Sequence, residues 1–276
     1  MIIKSDLHMH TNFDDGANSV FEMIESAIDK GFETVGISGH GFTPFDLSYC
    51  IKKNASYLRE LTRAKRKYAG KINVLCGIEA DGYSEINIAD YDYSIGSVHY
   101  FKSVKGKYYP IDLSSIDFNN TLRILFNNDS EFMVTTYYKS VVEMIKKFMP
   151  TIIGHFDLIT KFSDDDNTCR LPEEKYLSIV KSAVDEILDI PSYTPIFEVN
   201  TGAIARGYKT APYPSEAILR ILHGYNIPVT LSSDAHNSEN IGYYFDESIE
   251  ILKNVGYENV LVMENLAFTP VSIIGQ

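Results

Sequence analysis

The sequence predicts one α/β domain, a parallel sheet covered by helices, with a functional site where the strands end. Two observations carry this. Short apolar runs of strand length alternate with longer amphipathic segments almost from the first residue, the pattern of repeated strand–helix units. Six of the seven histidines follow directly on those apolar runs, so their side chains would gather at one end of the sheet.

The strand-like runs are residues 2–6, 34–38, 72–79, 91–98, 151–154, 196–200 and 227–231. Amphipathic segments with helical spacing lie between them at 19–30, 54–68, 131–149, 173–188 and 215–223. A further helix is expected at 247–255, and a short apolar run, 260–262, follows it. Gly31 and Gly224 stand just past helices, where glycine commonly stops them. Residues 103–130 hold no strong periodicity and read as an excursion after the fourth strand, and 161–171 as a polar loop after the fifth. Both leave a strand's carboxyl end, where loops shape substrate pockets. With no Pro-, Gly- or Ser-rich interior linker and no repeat, residues 1–276 are expected to form one domain.

Composition narrows the function. Hydrophobic residues make up 45% of the chain, ample for a core, and the net charge of −12 disfavours non-specific contact with nucleic acid. The one concentrated basic stretch, Arg63-Ala64-Lys65-Arg66-Lys67, ends a predicted helix and complements its dipole. Cys50, Cys76 and Cys169 are odd in number and widely spaced, which argues against a disulfide framework and for a reducing compartment. Charge at the N-terminus and the lack of any apolar run near the roughly 18 residues of a membrane span complete the expectation of a soluble, cytoplasmic protein.

The histidine clusters are Asp6-Leu7-His8-Met9-His10, Gly39-His40-Gly41, Ser97-Val98-His99, Gly154-His155-Phe156-Asp157 and Ser233-Asp234-Ala235-His236. Residues two apart in a strand share a face, so His8 and His10 can grip one ion, and Asp234 and His236 stand side by side. The same parity sends Leu75, Gly77 and Glu79 inward and Cys76 toward the helices. Glu79 would be costly to bury without a cation or hydrogen bonds. Any one of these histidines could be an ordinary core or surface residue. Their joint placement, with Glu79 and Asp15, points instead to a metal site of nitrogen and oxygen donors, suited to Zn, Mn, Fe or Co. His223, at a helix C-terminus, reads as structural.

Asp-x-His-x-His-Thr, Ser-Gly-His-Gly, Gly-Ile-Glu-Ala-Asp, Gly-Ser-Val-His-Tyr, Gly-His-Phe-Asp and Ser-Asp-Ala-His, in that order, resemble the motifs of the polymerase and histidinol phosphatase (PHP) superfamily. The text around them, such as Glu198-Val199-Asn200-Thr201-Gly202, looks most like its histidinol-phosphate phosphatases. The resemblance implies a distorted, TIM-like (β/α)7 barrel, with the active site at the strands' carboxyl ends and three divalent ions. One ion would take His8, His10, Glu79 and Asp234; a second would share Glu79 and add His99 and His155. A third would take Asp15, His40 and His236, with Asp14 as the alternative to Asp15. Glu79, Asp234 and His236 are expected at the reacting centre.

Divalent ions neutralise phosphoryl oxygens and lower the pKa of bridging water, so the expected reaction is attack of that hydroxide on a phosphomonoester. Lys161 and Arg206, just past strands that feed the site, are candidate phosphate clamps; the planar fork of arginine suits phosphate better. Asp164–Asp166, Asp81 and Glu85 are candidates for holding a cationic leaving group. By resemblance the substrate is L-histidinol phosphate, a small molecule of histidine biosynthesis, with no nucleic-acid or membrane partner. The alternatives are a phosphodiesterase or nuclease, a phosphotyrosine phosphatase, a metal-dependent amidohydrolase, or a catalytically silent metal-binding module.

Overall fold

A computed structural model describes residues 3–163, 171–264 and 266–275. Asp164–Asp166 and Cys169 therefore lie outside the described residues. Seven parallel strands form one sheet in the order β1 (Ser5–Asp6), β2 (Thr34–Ile37), β3 (Asn73–Asp81), β4 (Tyr93–Ser97), β7 (Ile152–Ile153), β8 (Phe197–Asn200) and β9 (Val229–Ser232). The sheet nearly closes on itself just beyond the carboxyl ends of β1 and β9. There Met9 bridges Ala235 in parallel, His10 N donates to Ala235 O at 2.9 Å, and Ala235 N donates to His8 O at 3.2 Å. The expected distorted seven-stranded barrel is what forms.

The helices around it are α1 (Val20–Asp29), α2 (Asn54–Lys67), α3 (Ser115–Phe126), α4 (Ser130–Phe148), α5 (Glu173–Leu188), α6 (Gly202–Ala205), α7 (Glu216–Gly224) and α8 (Phe245–Val255). Their starts are chemically marked. Ser19 Oγ accepts from Glu22 N at 3.3 Å while Glu22 Oε2 accepts from Ser19 N at 2.7 Å, a reciprocal cap on α1. Asp129 caps α4 by accepting from Phe132 N at 2.9 Å.

Residues 103–130, expected to be an excursion without strong periodicity, hold regular elements. They contain α3 and β6 (Tyr108–Pro110), which pairs antiparallel with β5 (Tyr100–Lys102). The signal for α3 was present: Ser114 caps it through Asp117 N at 3.0 Å, and Phe118, Leu122 and Phe126, spaced by four, are its buried face. Asn119 and Asn120 beside them diluted the pattern.

The inside of the barrel differs from its outside. Leu7, Leu75, Tyr93, Ile95 and Ile152 form a small interior cluster, separate from the larger core between sheet and helices that holds Cys76 and Ile78. The predicted parity of β3 is thus realised. Tyr93 fills the interior because Gly36 and Gly77 carry no side chain. A Cβ there would stand 2.1 Å from the Tyr93 hydroxyl oxygen and 2.3 Å from its Cζ respectively. The phenol donates to the Leu7 carbonyl. The run at 260–262 becomes β10 (Asn259–Glu264), which pairs antiparallel with β11 (Ala267–Ser272). Met263 and Phe268 of this hairpin pack against the interior cluster and plug the strands' amino ends.

His223 sits in the last turn of α7, its ring 5.0 Å from that of Tyr257. Lys65, Arg66 and Lys67 occupy the last turn of α2. Cys50 and Cys76 are free and buried, and burial pushes the Cys76 thiol up to about 12. Among the described residues no helix is long and apolar enough to cross a membrane.

Candidate metal centre

Two residues beyond Gly77, the inner face of β3 presents Glu79, 1% exposed. Oε1 accepts from Ser97 Oγ at 2.6 Å and lies 3.0 Å from His155 Nε2 and 3.5 Å from His99 Nε2. Oε2 lies 2.8 Å from His40 Nδ1, 3.4 Å from His8 Nε2 and 3.7 Å from His10 Nε2. Imidazoles that follow β1, β2, β4 and β7 thus converge on one carboxylate from β3.

Asp234 closes the group from the far side of the barrel. Its Oδ1 lies 3.2 Å from His10 Nε2, 3.8 Å from His8 Nε2 and 3.5 Å from His236 Nδ1. The residue holds a left-handed φ of 48° and packs against Gly202, where a Cβ would approach its carboxylate to 2.7 Å. Glycine at that position is what lets α6 come so near. Asp15 completes the rim, 3.7 Å from His10 Nδ1, 3.8 Å from His40 Nε2 and 3.4 Å from His236 Nε2. Asp14 sits behind it instead, with Oδ2 2.7 Å from His10 Nδ1 and accepting from His40 N at 3.0 Å.

All nine sequence-predicted ligands therefore meet in one cluster, and the donor atoms test whether ions fit. Candidate ligand atoms of His10, Asp15, His40 and His236 lie within 4.8 Å of one another, as do those of His8, Glu79 and His155, of His8, His10 and Asp234, and of His40, Glu79 and His99. His8, His10 and His40 each fall in two of these groups, where the expected three-way division gives each to one ion; Glu79 falls in two, as expected. His8 Nε2, His10 Nε2 and Glu79 Oε2 are buried without a hydrogen-bond partner, as are the Nδ1 atoms of His99 and His155. Buried polar atoms left unpaired in such numbers call for an unseen partner. An all-nitrogen and oxygen donor set suits a divalent cation.

The electrostatics agree. Burial opposes charge on Glu79, yet His40, His8 and His99 hold its carboxyl well below the usual range. Asp234, also buried, is held well below by Arg206 and His8. Burial works against protonating His8, but Glu198, Glu79 and Asp234 raise it well above its usual value. Likewise, against burial, Asp14 raises His10 to about 10 and Glu79 raises His99 to about 9. Protons here occupy positions that cations would take over.

The cluster forms the floor of a cavity of about 310 Å³. On one side stand the two cations singled out from sequence. Arg206 Nη2 bonds Asp234 Oδ2 at 3.0 Å, and its Nη1 lies 2.7 Å from His236 Nδ1. Lys161 Nζ donates to Asp112 O at 2.8 Å and to Asp112 Oδ2 at 3.3 Å, so part of its charge is already matched. Asp46, Tyr49, Tyr100 and Asp112 also line the cavity. Asp46 and Asp112 escaped the sequence reading because both lie in irregular loops. Asp81, named there as a leaving-group contact, instead accepts from His99 N at 2.7 Å and from Tyr83 N at 2.9 Å. Glu85 is not among the residues lining the cavity. Asp6 is fully buried below the cluster, accepting from Ser233 N at 3.1 Å and Gly242 N at 3.2 Å, and ties β1 to the segments after β9.

Fold and site together define a metal-dependent phosphoesterase of the PHP type. The PHP domain family matches residues 6–202, and the chain belongs to it. Asp234 and His236 come from beyond the matched stretch. Among relatives, the probable histidinol-phosphatase of Schizosaccharomyces pombe is 27% identical over 266 residues, covering 88% of this chain and 83% of that one. The histidinol-phosphatase of Bacillus subtilis is 25% identical over 271 residues, covering 90% and 98%. The crystal structure of histidinol phosphate phosphatase from Lactococcus lactis, complexed with zinc, L-histidinol and phosphate, has the same fold: TM-score 0.66, 16% identity, 96% of this chain and 98% of that one.

Proposed function

We propose that this chain, acting over residues 1–276 as one domain, hydrolyses L-histidinol phosphate to L-histidinol and phosphate. The observation that carries the reading is the convergence of five imidazoles on Glu79 at the floor of a small cavity, with His8 Nε2 and His10 Nε2 unpaired there. The full-length relatives named histidinol-phosphatases supply the substrate. Three divalent ions, drawn from Zn, Mn, Fe or Co, would be held by His8, His10, Asp15, His40, Glu79, His99, His155, Asp234 and His236. Such ions supply positive charge for the phosphoryl oxygens and acidify water.

The chain's own groups do the rest. Glu79, with an oxygen turned to each half of the cluster, bridges it. Asp234 orients Arg206, whose planar fork suits two phosphate oxygens. Lys161, bonded to Asp112, is a second cation for the phosphate. Asp46, Asp112 and the rings of Tyr49 and Tyr100 suit an alcohol that carries an ammonium and an imidazole. A polynucleotide would meet a chain of net charge −12 in a confined, partly acidic cavity, which disfavours the nuclease reading. A cytoplasmic location fits a biosynthetic phosphatase of this kind.

The test is elemental analysis of protein purified without chelator, joined to turnover of histidinol phosphate, phosphotyrosine, a nucleoside monophosphate and single-stranded DNA. The reading requires more than one ion per chain and preference for histidinol phosphate. Fewer than two ions with no phosphatase activity overturns it, and faster turnover of another member of the panel reassigns the substrate.

A further inference from the structure

Glu198 is a lone carboxylate in the apolar strand β8. Phe197 and Val199 face the helices and belong to the outer core, which turns Glu198 and Asn200 toward the barrel interior. The parity that flags Glu79 on β3 flags Glu198 on β8.

The Glu198 side chain is fully buried, and both of its oxygens are in use. Oε2 lies 2.9 Å from His8 Nδ1. Oε1 accepts from the His155 backbone N–H at 2.7 Å and from Asn200 Nδ2 at 2.8 Å. Asn200 Oδ1 in turn accepts from Gly202 N at 3.0 Å, beside Asp234. One carboxylate therefore touches the ring of one candidate ligand and the backbone of another, on segments 147 residues apart (155 − 8).

We propose that Glu198 is a positioning residue for the metal centre: it fixes the His8 proton on Nδ1, leaving the Nε2 lone pair for an ion, and anchors His155 beside it. The proposal rests on the metal-centre reading above. A neutral imidazole carries one ring proton, and whichever nitrogen donates it cannot ligate. With Nδ1–H held by Glu198, Nε2 points at Glu79 Oε2, 3.4 Å away, and at Asp234 Oδ1, 3.8 Å away, with no hydrogen-bond partner of its own.

A carboxylate is the group that can do this. Three donors arrive on its two oxygens, from His8, His155 and Asn200. Glutamine has the same shape, but one end accepts and the other donates. If its NH2 meets His8, the imidazole must accept at Nδ1 and carry its proton on Nε2, losing the lone pair. If its NH2 turns the other way, it faces two N–H donors.

The experiment compares the parent chain with Glu198→Gln, both stripped and reloaded with zinc alone. Competition with a chromogenic chelator is expected to show the most weakly held ion bound about 10–100-fold less tightly in the variant. Excess zinc should then restore much of kcat. Circular dichroism of the ion-free forms checks that the variant folds. Should it not fold, nitrogen-15 spectra of the zinc-loaded parent still decide, because the proposal requires His8 protonated at Nδ1 and coordinated at Nε2. Equal zinc affinity in a folded variant, or His8 coordinated through Nδ1, overturns the role of Glu198 alone. A parent chain that binds no zinc overturns the metal-centre reading itself.

Discussion

The lower and upper halves of the barrel interior are built from the same strands and solve opposite problems. Along β3, Leu75 joins an apolar floor with Leu7, Tyr93, Ile95 and Ile152, while Glu79 lies among imidazoles. Below, apolar side chains pack on one another, and the Tyr93 hydroxyl bonds the Leu7 carbonyl. Above, buried nitrogens and a carboxylate oxygen have no partner. The floor is stable by itself, whereas the upper layer is complete only with cations, so fold and ion binding should respond to mutation independently.

The sharpest way to break that contrast is Glu79→Gln. It removes the shared charge, and turnover should fall by roughly 10²–10³-fold, the loss expected when one preorganised electrostatic group is deleted. Circular dichroism should show the fold retained, although the ion-free protein loses the pairing of that carboxylate with His40, His8 and His99. Substantial residual turnover would count against a bridging role.

Leu75→Ala should do the reverse. Emptying a buried position in the floor is expected to cost about 2–5 kcal/mol in chemical denaturation, with the ion content of the folded protein unchanged. Loss of ions at constant stability would show that the halves are not separable.

At the cavity wall, Arg206→Ala should lower kcat/KM for the phosphomonoester by roughly 10–100-fold, as for a lost charge-assisted hydrogen bond of about 1.5–3 kcal/mol. Lys161→Ala should have the smaller effect, because an ammonium lacks the planar fork that grips two phosphate oxygens. Unchanged kinetics in both variants would remove them from phosphate binding.

The gentlest probe is pH. In the ion-free protein His10 and His99 stay protonated up to about 10 and about 9. Ions must displace those protons, so affinity should rise with pH from 6 to 9, and calorimetry in buffers of different ionisation enthalpy should register proton release. Stability runs the other way. For groups whose folded pKa is raised, the contribution is full below the unfolded value near 6.5 and is lost as pH climbs through about 9–10. Ion-free protein should therefore weaken over the window in which ion binding strengthens, and parallel slopes would contradict the exchange.

The sequence made the upper layer legible because burying a carboxylate or an imidazole is costly enough to need a reason. Strand ends marked where His8, His40, His99, His155 and Asp234 would gather and parity turned Glu79 inward, while the full ligand set followed from the resemblance to the PHP motifs. Glu198 obeys the same parity on β8, between Phe197 and Val199 of the outer core. The choice of Asp15 over Asp14 hung on which carboxylate faces the rim, a matter of turn geometry that no periodicity encodes. Tyr93 with Gly36 and Gly77 was beyond reach for another reason: their fit is a contact across three strands, visible only after the barrel closes. Helix α3 hid behind Asn119 and Asn120 although its buried face and cap were there to read.

One measurement bears on the central claim most directly: an anomalous difference map, at the absorption edges of the candidate metals, from crystals grown without chelator. The account predicts peaks on both sides of the Glu79 carboxylate, about 2.0–2.2 Å from its oxygens and from histidine nitrogens. A map featureless there, from protein that hydrolyses histidinol phosphate at full rate, would contradict it.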